Sequence, residues 1–128
     1  MVQRIINFLS SIEDKNGNRI IKEIDSKLWK KRPFWILTLE DQSEEEISIN
    51  NFKKITEYNL QIFFNKISLE IWEELGRIFL EETRGRDLTI AQDDFIRIWG
   101  ENYTLRYEEE EGENVILDFT FRVEEEYC

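Results

Sequence analysis

The chain has 128 residues, of which 41% are hydrophobic and 35% charged, with a formal net charge of −11 and no histidine. That length suits a single domain over residues 1–128, able to bury roughly two-thirds of its unfolded surface without a disulfide or metal staple. An aromatic content of 13% argues against disorder. The missing histidine removes the commonest general base and the commonest transition-metal ligand, and with them any Ser-His-Asp or Cys-His site.

At the start, Val2, Ile5, Ile6, Leu9 and Ile12 recur at helical spacing, and Asn16-Gly17 offers a stop. A strand reading competes, because residues 14–18 also have hairpin-turn chemistry and 19–24 could pair back. The apolar streak is too short and too interrupted for a signal peptide. No stretch reaches the 18 or so apolar residues of a membrane span. The only cysteine, Cys128, is the last residue and can make no intrachain disulfide. These features predict a cytoplasmic protein with no membrane partner.

Residues 14–25 carry Asp14, Asn16, Gly17, Asn18, Ile21 and Asp25 in a spacing that resembles an EF-hand calcium loop. Asp14, Asn16 and Asn18 fall where the first ligands stand, and Asp25 falls at the closing position. The pattern departs from the motif at Arg19, where glycine makes the sharp turn, and at Asp25, whose arm is shorter than glutamate's. Lys22 adds a cation near the ligands. The resemblance implies calcium binding; the plain alternative is a polar turn.

Further along, Pro33 leads into a predicted strand over 34–40, then a turn at 41–44 and a returning strand over 46–50. Residues 60–64 read as another strand, with a helix the alternative that periodicity alone leaves open. Ser68 is a good N-cap, with Glu70 in the first turn. Ile71, Trp72, Leu75, Ile78 and Phe79 then form one apolar helical stripe, and residues 84–87 end it. Strands are predicted over 95–99 and 103–107, separated by a turn at 100–102. After a second turn at 111–114, Val115, Leu117, Phe119, Phe121 and Val123 alternate with polar or outward residues, the mark of a sheet with one buried face. The predicted fold is α+β: an antiparallel sheet including a C-terminal three-stranded meander, packed by one or two amphipathic helices.

No phosphate-binding glycine loop and no nucleophile elbow is present. Carboxylates remain as raw material for catalysis, among them Asp93, Asp94 and the run from Glu108, but neighbouring acids on a strand point to opposite faces. Lys27, Lys30, Lys31 and Arg32 beside Trp29 and Trp35 suit single-stranded nucleic acid, and the whole-chain charge opposes it. Charge is also uneven along the chain. Residues 67–128 hold 18 acids against 6 arginines, whereas residues 1–66 hold 10 acids against 11 bases. An acidic surface attracts basic partners and repels nucleic acid.

The composition therefore points to a small, acidic, non-catalytic inhibitor or immunity-type protein. It would act as a nucleic-acid mimic, binding a basic, nucleic-acid-processing protein partner without a cofactor. The candidate partner-binding residues are Trp99, Glu101, Tyr103, Tyr107, Glu108, Glu109, Glu110, Glu111 and Glu113, with a further acidic run at Glu124, Glu125 and Glu126. A carboxylate-based metal-dependent hydrolase, or a small ligand- or calcium-binding module, is the alternative. The leading reading depends on whether separate acidic runs converge in space.

Overall fold

A computed structural model describes residues 2–17, 19–20, 34–64, 69–89, 95–107 and 115–127. The elements in chain order are α1 (Val2–Ser11), β1 (Phe34–Ser48), β2 (Asn51–Phe64), α2 (Leu69–Glu82), β3 (Arg84–Asp87), β4 (Phe95–Tyr107) and β5 (Val115–Tyr127). The five strands form one antiparallel sheet in the order β1-β2-β5-β4-β3. The fold is thus α+β, with β3, β4 and β5 in a meander-like arrangement against α2.

The core follows from strand alternation. On β5, Val115, Leu117, Phe119, Phe121 and Val123 are buried. Thr56, Tyr58, Leu60, Ile62 and Phe64 pair with them from β2, and Ile96 and Ile98 extend the same face on β4. Each such apolar side chain removed from water contributes about 1.5–3 kcal/mol. Helix α2 lies on this face: Leu75 and Phe79 are buried, and the Phe79 ring sits 5.5 Å from Phe119. Helix α1 adds Ile5 and Leu9, and its Ile6, Leu9 and Ser10 line a shallow dimple with Trp35 and Leu60. No described helix covers the opposite face, where Ile116 is nevertheless buried. That face is stitched by polar pairs, with Asp118 accepting from Gln61 Nε2 at 2.9 Å and from Arg106 Nε at 2.8 Å.

The first helix ends at Ser11, earlier than the predicted stop. Asn16-Gly17 belongs to the turn that follows. There Gly17 N donates to Asp14 O at 3.1 Å and takes φ 78°, and Glu13 bridges Arg19. The helical reading therefore holds for residues 2–11, and a reversal follows it; the returning segment 21–24 lies outside the described residues.

Two expected turns are strand instead, and so is the expected end of the helix at 84–87. Residues 41–44 do not reverse the chain: β1 runs through them, and the reversal comes at Ile49-Asn50. Asn50 holds φ 65°, a left-handed conformation that asparagine tolerates and glutamate does not favour. Residues 100–102 are a bulge inside β4, with a register shift between Gly100 and Asn102. Gly100 is needed there because a Cβ would stand 3.0 Å from Phe119 Cζ and crowd the Thr83 hydroxyl. The C-terminal meander accordingly takes its first strand from residues 84–87, which pair with β4 instead of merely ending the helix.

Several expected features lie outside the described residues: Ser68, the side chains of Ile71 and Trp72, the basic run from Lys27 to Arg32 with Trp29, Asp93-Asp94, Asn18, residues 21–25, Pro33 and Cys128.

Candidate docking surface

Strand length decides what the helices leave bare. Fifteen residues of β1 extend about 50 Å, whereas the 14 residues of α2 extend about 21 Å. Helix α2 sits over the middle of β4 and β5, at Tyr103, Gly100 and Phe119. The end of the sheet carrying residues 41–48, 51–55 and 124–127 therefore projects beyond it. Every residue from Thr38 to Asn50 is exposed.

Acids gather at this end from both halves of the sequence. Strand β1 brings Asp41, Glu44, Glu45 and Glu46; β5 brings Glu124, Glu125 and Glu126; between them β2 places Lys53 and Lys54. The register sets two cross-strand rows. Glu44 stands opposite Lys54, which stands opposite Glu125; Glu45, Lys53 and Glu126 repeat the pattern on the other face. Each lysine is thus flanked by a glutamate on either neighbouring strand, a stabilising cross-strand arrangement that still leaves each row one charge negative. Glu124 is the best-partnered acid. It meets Lys53 Nζ at 3.5 Å and Arg122 Nε at 3.1 Å.

Aromatic packing stiffens the helix-side face of the same end. Tyr127 stacks on Phe52 with centroids 5.7 Å apart, and its hydroxyl donates to Glu44 Oε1. Gln42 Nε2 donates to Thr56 Oγ1 at 3.3 Å. Burial, and after it the Glu125 carboxylate, pushes the Tyr58 hydroxyl above its ordinary pKa. On the β3 edge, hydrogen bonds from Thr89 and the nearby Arg97 hold the exposed Asp87 carboxyl below its ordinary value.

Of the residues singled out from sequence, the described ones do not share one face. Trp99 lies on the face away from α2, half-buried and opposite Arg122, whose guanidinium sits 5.5 Å from the ring centroid. Tyr103 lies on the other face, half-buried against Gly76 of α2. Glu101 is exposed at the bulge. Tyr107 pairs with Val115 at the far end of β4, while Glu126 pairs with Phe95 at the near end. The run Glu108, Glu109, Glu110, Glu111 and Glu113 lies outside the described residues. The strand positions that flank it stand at the opposite end of β5 from Glu124, Glu125 and Glu126.

Sequence reasoning missed the convergence of 124–126 with 41–46. The signal was present as three consecutive glutamates at 44–46, in the half of the chain that is neutral in sum.

Among the described residues, no group of three or more carboxylate, cysteine or histidine side chains is placed to hold a metal ion. In the calcium-loop resemblance, Asp14 Oδ1 accepts from Asn16 N at 2.9 Å, closing its own turn. No described helix is long and apolar enough to cross a membrane. No protein-family model and no curated protein matches this chain.

Proposed function

We propose that this chain is a non-catalytic inhibitor or immunity-type protein that docks a basic, nucleic-acid-processing protein partner in the cytoplasm, with the projecting end of its sheet as the docking surface. The observation that carries the reading is the gathering of seven carboxylates, on both faces of the sheet and with two lysines among them, at the end that the described helices leave uncovered. A cleft built to hold phosphates meets carboxylates there instead. Complementary charge steers the encounter and speeds association, an advantage that falls as salt rises. The sheet fixes the backbone that carries the acids, so the ordering cost on binding is confined to side chains.

The test is affinity capture from the native host at about 50 mM and about 500 mM salt, which brackets strong and weak screening. A basic protein should be held at low salt and released at high salt. Its nucleic-acid-processing activity should fall when the acidic chain is added at equal concentration. Failure to hold any basic protein at low salt, or an unchanged activity of the captured one, would contradict the reading.

A further inference from the structure

We infer that the outer edge of β1 is a strand-addition site, and that its occupant is an extended cationic segment of the basic partner. The inference rests on the reading above and specifies how the partner is held. Strand β1 is the last strand of the sheet, with β2 on one side and no strand on the other among the described residues. In an antiparallel sheet, every other residue of an edge strand turns its N–H and C=O outward. From Thr38 to Ser48 of β1 these groups lie in a fully exposed stretch.

Two features of this edge select its occupant. The first is charge on both faces: Asp41 and Glu45 share one face with the Glu126 row, and Glu44 and Glu46 share the other. A second copy of this chain adding along 41–46 would set acids opposite acids on both faces, which is destabilising. A cationic strand would set lysine or arginine opposite them. The second feature is where the exposed apolar side chains fall. Six large hydrophobic residues are exposed among those described, and four of them, Ile36, Leu39, Ile47 and Ile49, lie on β1 or its turn. They flank the acids at both ends. The matching segment is therefore basic in the middle and apolar at its ends. Register shifts between Leu39 and Asp41 and between Glu46 and Ser48 bound the regular edge to six residues, a span of about 20 Å. Strand addition of this kind takes affinity from main-chain hydrogen bonds and specificity from alternate side chains.

The probe is a capped heptapeptide of three central lysines flanked by two valines at each end, so that lysines meet both faces, measured by fluorescence anisotropy and by amide hydrogen exchange on the full chain at low salt. Two further peptides complete the set: one with glutamate for lysine, and one with the lysines kept and every internal backbone amide N-methylated. The lysine peptide should bind and slow exchange at alternate residues of 38–48. The N-methylated peptide should bind at least about tenfold more weakly, the loss expected when two backbone hydrogen bonds go. Equal binding of the methylated and unmethylated peptides would overturn strand addition while leaving the charge-based reading standing. Equal binding of the glutamate peptide would overturn selection by charge. No binding of the lysine peptide at all would overturn both.

Discussion

Tyr103 can belong to the fold or to a partner surface, and the substitution Gly76→Ala separates the two. Gly76 lies within α2, where alanine is ordinarily the better residue by about 1 kcal/mol. Here a Cβ would enter the Tyr103 ring, standing 2.8 Å from Cγ and closer still to Cδ2 and Cε2. The ring cannot swing aside cheaply, because Cγ lies close to the β4 backbone and Tyr103 packs against the core. Overpacking of this kind costs about 1–3 kcal/mol. Set against the propensity gain, the net loss is up to about 2 kcal/mol. Urea unfolding followed by tryptophan fluorescence measures it. The decisive comparison is the same change in a Tyr103→Ala background. With the ring gone, the propensity term stands alone, and Gly76→Ala should become stabilising by up to about 1 kcal/mol. A sign that does not change between the two backgrounds would refute the packing argument and free Tyr103 for another role.

Other expectations follow from the same geometry. Gly100→Ala should destabilise by about 1–3 kcal/mol, because its Cβ would meet Thr83 Oγ1 and Phe119 Cζ where β4 bulges under α2; thermal unfolding would show it. Asn50→Gly should be neutral or stabilising and Asn50→Val destabilising by about 1–2 kcal/mol, since φ 65° suits glycine and opposes a β-branched residue. Tyr58 titrates above its ordinary value, so the unfolded chain loses that proton first as pH rises. Stability should then fall from about pH 10 upward, and Tyr58→Phe should remove that part of the fall; equal alkaline profiles for the two proteins would contradict it.

Much of the fold was readable wherever one face of an element is buried. The alternation from Val115 to Val123 is a direct record of a strand with a dry side, and each of its odd positions is buried. The stripe of α2 was readable for the same reason, since Leu75 and Phe79 meet the sheet. Residues 41–48 are different. Both of their faces are wet, so no hydrophobic period marks them, and their acids and Gln-Ser pair look like a turn. They are a strand because β2 pairs with them, which is information outside the segment. Gly100 was ambiguous in the same way: glycine punctuates turns and also marks close approach, and only the position of Thr83 and Phe119 decides between them. The docking surface was half legible. Glu124, Glu125 and Glu126 stood out as a run, but their neighbours are set by a pairing of β2 with β5 that links residues some 70 positions apart. Summing charge over halves of the chain hid the contribution of β1.

Docking depends on where the charge sits as well as on how much there is. This is tested most directly by two triple variants with equal change in net charge. One is Glu44→Gln, Glu45→Gln and Glu46→Gln on β1; the other is Glu73→Gln, Glu81→Gln and Glu82→Gln, at exposed positions of α2. Both proteins are immobilised and used to capture the basic partner at low salt. The account predicts that the β1 variant holds it about tenfold more weakly, from three exposed ionic contacts of up to about 1 kcal/mol each, while the α2 variant binds as the parent does. Equal weakening by the two variants, or none from the β1 variant, would contradict it.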